Sequence, residues 1–453
     1  MSRRPSPVRS LPRPLAPLAT LAFAACALMA AGARAQNLQE LYDAARVYDA
    51  AYLAARAQAE SAQYRAAQTR ALRLPNVSLA ASLTRNETDP PSSLSNPSGS
   101  RIGATTGAAS VNGRQSLFNR ANAATIGQAE KSLEVAQADL DAAEQELIVR
   151  SAQTYFDVLA AQDTLATAQA NKKAISEQLA SAKRNFEVGT ATITDTREAQ
   201  ARFDLATAQE IAADNDLRTK RIALDQLVGR NGVEPKLLAT PVALPTLAPL
   251  AVDEWVAPSQ TQHPTVRRAQ FGLDIAELET AKARAGHLPT VDLVGSVGSS
   301  HATSGTLPGT SSAASLGLQL ALPLFAGYAI QNRIKETLSL EERSRNDLDA
   351  ARRGVAQATR VAFFGVQSGQ AQVRALEAAE SSSKLALEAT QLGYRVGVRV
   401  NLDVLNAQTQ LFQTQRDLAK ARYDVLVGSL RLRQAAGQLH PGDVSGVNGL
   451  LAR

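Results

Sequence analysis

The sequence predicts a mainly α chain with a small β part, built as two copies of one unit. Three observations predict it. Proline is absent between Pro97 and Pro235 and again between Pro323 and Pro441, where Ala, Gln, Glu, Lys and Leu dominate, all of them helix formers. Ahead of each proline-free run lies a stretch in which apolar and small or polar residues alternate, the period of a strand. The two halves also align with each other, and such a repeat organises every other reading.

The first 35 residues carry Arg3, Arg4, Arg9 and Arg13, then an apolar stretch from Leu15 to Ala31, then Ala33-Arg34-Ala35. Charged start, apolar middle and small-residue end describe a secretory signal peptide, with cleavage expected after Ala35. Arg3-Arg4 lacks the rest of a twin-arginine signal, and Cys26 follows Phe23-Ala24-Ala25, a poor match to a lipoprotein signal. Removing the leader's five Arg leaves 43 basic residues against 42 acidic ones. The basic balance therefore gives no argument for a nucleic-acid partner. The lone Cys and both Met also lie in the leader, so the expected mature chain has no thiol to mispair in an oxidising compartment.

The first copy is expected to run from 36 to 229 and the second from 262 to 437. Between them lies a Pro-rich connection, 230–261, with Pro235, Pro241, Pro245, Pro249 and Pro258, and a tail, 438–453, follows. Leu74-Pro75-Asn76-Val77-Ser78-Leu79 matches Leu288-Pro289-Thr290-Val291-Asp292-Leu293 at an offset of 214. Later the offset falls to 208, where Val188-Gly189 meets Val396-Gly397 and Asp195 meets Asp403. A shorter loop in the second copy accounts for the change.

Each copy reads as helix, two strands, very long helix, second long helix. The opening helices, expected over 38–73 and 264–286, stop just before Pro75 and Pro289. Val77, Leu79, Ala81 and Leu83 then alternate with smaller or polar residues, as do Val291, Leu293, Gly295 and Val297. The stretches 85–103 and 299–313, rich in Ser, Thr, Pro and Gly, read as loops. In the returning strands Leu316, Leu318, Leu320 and Leu322 alternate clearly, whereas Ala109, Val111 and Gly113 are a feeble counterpart that rests on the repeat. The segment 120–187 would reach roughly 100 Å as one helix at about 1.5 Å per residue. Leu133, Leu140 and Leu147 recur at seven-residue steps, the step to Val158 is eleven, and Leu348, Val355 and Val366 repeat that stutter. A stutter locally unwinds a left-handed coiled coil. Periodicity alone fits an ordinary extended coiled coil equally well.

The strands decide between them. Four short strands do not close a sheet by themselves, and a sheet that uses a bilayer as its apolar side must pair every edge. About eight strands make the smallest such barrel, so at least two chains must contribute. The helices lack any run of about 20 apolar residues and must stand in water.

This arrangement resembles the TolC family of outer-membrane channel proteins across essentially the whole mature chain. The match is carried by the duplicated pattern, Leu-Pro-x-Val before each first strand, Leu117-Phe118 and Leu324-Phe325 after each second strand, and the Val-Gly turns. The most specific stretch runs from Gly393 to Ala407, with its partner from Phe186 to Asp195. Both lie nearer the branch that gives the family its name than the lipid-anchored drug-efflux branch. The resemblance implies a homotrimer in which four strands per protomer build a twelve-stranded transmembrane β-barrel, continuous with a periplasmic α-barrel of long coiled-coil helices. A mixed equatorial belt would be formed partly by the Pro-rich connection.

It also implies site residues. The tips Val188-Gly189-Thr190 and Val396-Gly397-Val398 would close the channel and dock a periplasmic adaptor (membrane fusion) protein, itself tied to an inner-membrane ABC or proton-driven transporter. Asp195, Tyr394 and Arg399 would form polar links that hold the periplasmic gate shut. Asp195 at a helix start also suits the helix dipole by itself, and Arg399 also suits a solvated position. Asp403 and Asn406 match positions of acidic rings at the entrance, and Asn406 departs from the pattern, leaving one ring of three carboxylates in a trimer. The exported cargo, proteins through type I secretion or small molecules such as drugs, stays open. No enzyme, cofactor or metal is expected: His263, His287, His301 and His440 are scattered, and no catalytic motif appears. A periplasmic structural or adaptor coiled coil without a pore is the alternative.

Overall fold

The proline-free runs become four helices, and the alternating stretches become one sheet. The computed structural model describes residues 36–88, 102–239, 242, 244–303 and 308–452. The expected leader with Cys26, and the loop centre 89–101, lie outside the described residues. In chain order the elements are α1 (Leu38–Tyr48), α2 (Ala50–Arg70), β1 (Asn76–Thr88), β2 (Ile102–Phe118), α3 (Arg120–Glu187) and α4 (Ile193–Val228). After the connection come α5 (Val252–Gln262), α6 (Pro264–Ala285), β3 (Thr290–Ala302), β4 (Gly309–Ala321), α7 (Ala329–Arg395), α8 (Asn401–Ala435) and α9 (Pro441–Asn448).

The opening helix of each copy is broken where the sequence pattern suggests a continuous helix or omits its first part. Asp49 is extended and its side chain caps α2 by accepting from Tyr52 N. His263, 214 residues later, is extended and caps α6 by accepting from Thr265 N. The helix ahead of that break, α5, falls almost wholly in the expected Pro-rich connection, and holds Pro258. This helix, Val252–Gln262, stands to α6 as α1 stands to α2. The strands also run further into the expected loops, to Thr88 and Ala302 on one side and from Ile102 and Gly309 on the other.

The sheet is antiparallel with order β1-β2-β3-β4, so β1 and β4 are its edges. Below it α2, α3, α6 and α7 lie side by side in the same order. Each seam carries a charge pair: Arg70 with Glu130 at 3.0 Å, Arg267 with Asp141 at 2.8 Å, Arg333 with Glu279 at 2.6 Å. Exposed pairs add little energy singly, but at successive heights they fix axial register. Glu279 joins three helices, accepting from Gln128 of α3 at 2.8 Å as well as from Arg333 of α7. The Gln128 bond first, then Arg333 and Lys282, hold its carboxyl down at about 2, from an ordinary value of 4.5. A carboxyl with a depressed folded value stabilises the fold above its unfolded value and loses that contribution as it is protonated. Thermal stability should fall as pH drops from about 4.5 to about 2, and Glu279→Gln should make that slope shallower while lowering the melting temperature at neutral pH. Circular dichroism melts at both ends of the window check this.

At mid-height the core is densest. Tyr155, Phe156, Leu159, Leu426 and Leu430 are fully buried where α3 meets α8. Phe156 stacks on Tyr423 with ring centroids 5.7 Å apart. The Tyr423 hydroxyl donates to Asp163 at 2.6 Å, and burial pushes the Asp163 carboxyl above its ordinary range against that bond. The first and last stretches of the described residues meet the connection here too. Gln36 N donates to Glu234 O, and Ala239 N to Leu450 O, so the start of α1, the connection and the C-terminal segment are tied into one belt.

Candidate functional site

The sheet has two chemically distinct faces. Register places Leu79, Val111 and Val297 on one face in a single cross-strand row, and Leu293 with Leu318 and Val291 with Leu320 in others. On the opposite face Ser78, Asn112, Ser296 and Ser315 form the matching row. The apolar face is left bare: Leu79 is 76% exposed, Leu83 80% and Leu316 79%. From Leu74 to Leu83 the apolar residues span about ten positions, which at ~3.3 Å each and a tilt near 40° is roughly the 25 Å height of a membrane barrel's apolar band. Among the described residues the polar face carries two charges. Arg114 bonds Asp292 at 2.7 Å, the aspartate side chain being almost buried and the guanidinium largely exposed.

At the far end, two helical hairpins turn in the same way. α3 ends at Glu187 and Gly189 takes φ +78; α7 ends at Arg395 and Gly397 takes φ +83. Gly189 N donates to Phe186 O and Thr190 N to Asn185 O; Gly397 N donates to Tyr394 O and Val398 N to Gly393 O. A left-handed residue is the ordinary way to finish such a turn, and glycine takes it without steric cost. The flanking Val188, Thr190, Val396 and Val398 are exposed. Among the described residues, nothing beyond the adjoining turn lies within 4 Å of where a Cβ would sit on either glycine.

Within one protomer the three expected gate residues bond separately. Asp195 closes a capping box: its carboxylate accepts from Thr192 N at 2.9 Å and from Thr192 Oγ1 at 2.7 Å, while Asp195 N donates back to Thr192 Oγ1. The Tyr394 hydroxyl accepts from Asn185 Nδ2 at 3.2 Å, joining the two hairpins. Arg399 pairs with Asp403 one turn away at 3.5 Å. Asn406 accepts from Arg202 of α4 at 3.0 Å, a second bond between hairpins. Sequence reasoning misses Asn185 and Arg202, because a polar residue on a solvated coil face gives no periodic signal. Near these bonds α3, α4 and α8 share a small apolar cluster of Ile175, Leu179, Ala182, Ala199, Ala206 and Leu405.

Among the described residues no helix is long and apolar enough to cross a membrane, and no group of three or more metal-ligating side chains is present. What the geometry defines is an unclosed, two-faced sheet on long paired helices, the build of a membrane-anchored duct protein. The family model for outer membrane efflux proteins matches residues 41–230 and 256–438, so the chain belongs to that family. It is 32% identical over 429 residues to outer membrane protein TolC of Vibrio cholerae, covering 94% of this chain and 96% of that one. It is 35% identical over 303 residues to the alkaline protease secretion protein AprF of Pseudomonas aeruginosa, covering 66% and 63%. In fold it is similar to the CmeC outer membrane channel of Campylobacter jejuni, with a TM-score of 0.78 at 18% identity over 92% of this chain and 90% of that one. The chain is an outer-membrane channel protein, an exit duct of the efflux and type I secretion kind, with a helical extension into the periplasm.

Proposed function

We propose that three copies of this chain assemble into one duct, with a twelve-stranded barrel in the outer membrane and a helical tunnel whose tips engage a periplasmic adaptor and an inner-membrane transporter. The carrying observation is the sheet: two faces of opposite polarity with, among the described residues, both edge strands unpaired. Leucines exposed in a row cost about 25 cal/mol per Å² in water, and open edges have no place in lipid. The relatives named for TolC and for protease secretion support export of proteins, with small molecules as a second cargo. In this reading the Val-Gly tips dock the adaptor, Asp195, Tyr394 and Arg399 help to hold the closed state, and Asp403 forms a ring at the mouth with Asn406 neutral behind it.

The test is direct. Detergent-extracted protein should run as a trimer and conduct in planar bilayers, and a deletion strain should lose secreted proteins or gain drug sensitivity. A water-soluble monomer without lipid affinity would overturn the reading and favour a periplasmic coiled coil. A second outcome concerns the polar face. With the apolar face in lipid, Asp292→Asn leaves three unbalanced Arg114 guanidiniums in the barrel lumen, and the reversal potential under a salt gradient should move toward anion preference.

A further inference from the structure

The two intra-copy strand pairings share one register. Phe118 corresponds to Phe325 at an offset of 207, as Leu79 corresponds to Leu293 at 214. Asn76 pairs with Arg114. Shifting both by their offsets gives Thr290 and Ala321, which is the pairing observed between β3 and β4. The repeat thus holds at the level of single residues in the ladder. Among the described strands one pairing joins the two copies, β2 to β3, and its equivalent is not made within the sheet: β4 to a β1.

We infer that this missing pairing is made between subunits of the proposed trimer in the register that β2–β3 already displays. Gln115 pairs with Leu293 and Asn112 with Ser296. Their equivalents place Leu322 opposite Leu79 of the partner subunit, and Gln319 opposite Ser82 of the partner subunit. By the same shift Leu318 meets Leu83 of the partner subunit. Faces match throughout, leucine on leucine outside and amide on hydroxyl inside, which a slip by one residue would invert.

Two further observations support this register. The last residues of β2, from Gln115 to Phe118, extend beyond its pairing with β1 and are held as strand by β3 alone. Their equivalents, Leu322 to Phe325, lie outside any strand in the single chain. Leu324 is 91% exposed and Phe325 77%, against 53% and 44% for Leu117 and Phe118. The difference is what a missing neighbour leaves. Next, the β2–β3 ladder carries a bulge just after Ser116, and the equivalent of Ser116 is Pro323. A proline donates no N–H and is tolerated in a ladder at a bulge, so a misfit in any other register has a place in this one.

The inference rests on the trimeric reading, and cysteine pairs test it separately. The expected mature chain has no thiol, so disulfides report only the introduced residues. Gln319→Cys with Ser82→Cys should form intersubunit disulfides under mild oxidation in outer membranes, read as dimer and trimer bands on non-reducing gels. Leu318→Cys with Leu83→Cys covers the other hydrogen-bonding type of antiparallel pair. Gln319→Cys with Ala80→Cys or Thr84→Cys, displaced by two residues, should yield about tenfold less, because diagonal Cβ atoms lie beyond disulfide reach. Asn112→Cys with Ser296→Cys is the intrachain control and should change mobility without forming multimers. Stronger linkage in a displaced pair, or none at both in-register pairs in a protein that elutes as a trimer, overturns the register and leaves the assembly standing. A monomer in detergent overturns both.

Discussion

Gly437→Ala is expected to destabilise the subunit far more than Gly229→Ala, although the two glycines occupy equivalent places in the repeat. Each ends the return helix of its hairpin and takes a left-handed conformation, φ +71 and +67. Each packs against the helix break of its own copy. A Cβ on Gly229 would meet the Tyr48 ring at 2.5 Å, and that side chain is 57% exposed and free to swing outward. A Cβ on Gly437 would meet the backbone of His263 at 2.7 Å and of Gln262 at 3.1 Å. The His263 backbone cannot swing aside, because His263 caps α6 and its residue separates that helix from α5. Left-handed strain of about 1–2 kcal/mol applies to both, and backbone displacement adds about 1–3 kcal/mol at Gly437 alone. Gly229→Ala should lower the melting temperature modestly, and Gly437→Ala should also reduce the amount of trimer in outer membranes. Equal melting temperatures for the two variants would show that the belt yields at His263, contrary to this account.

Glycine and proline make some parts of this fold legible in the sequence and leave others silent. The ends of α3 and α7 fall where Gly189 and Gly397 mark them, the opening helices stop before Pro75 and Pro289, and the sheet follows from leucine alternation. The break at Asp49 escapes a sequence reading because a single polar residue makes it, with its own carboxylate as cap and neither glycine nor proline in reach. In the second copy Pro264 follows the break directly and is an available signal. Strand β2 looks feeble for a physical reason: a Cβ on Gly298 would come within 2.9 Å of Ser110, so close approach demands small residues there. Small residues blunt the alternation that reveals a strand. The tip turns are legible to the residue, while the bonds between hairpins are not. Asn185 with Tyr394 and Arg202 with Asn406 join positions more than 200 residues apart, and no local pattern encodes such a partner.

Tyr394→Phe combined with Arg399→Ser is expected to raise single-channel conductance several-fold in planar bilayers. The first change removes the acceptor for Asn185 Nδ2, and the second frees Asp403 from its partner. Each bond is weak: about 0.5–1.5 kcal/mol for the neutral one and below about 1 kcal/mol for the exposed pair. In the proposed trimer the Asn185–Tyr394 bond, the one of the two that joins hairpins, occurs three times and sums to roughly 1.5–4.5 kcal/mol, enough to move a two-state population by about one to three orders of magnitude. The Arg399–Asp403 pair lies within one tip and acts only through the charge it leaves on Asp403. In the proposed reading weak links suit a duct that is held shut and opened by a docking partner, since none needs to be broken at high cost. The freed Asp403 carboxylates give the current a second signature, a stronger preference for cations, which Asp403→Asn in the same background should remove. Asn185→Ala alone should reproduce a smaller part of the conductance rise. Unchanged conductance in a folded trimer would assign closure instead to the apolar contacts of Leu179, Ala199 and Leu405, and Leu405→Ala would then be the opening mutation.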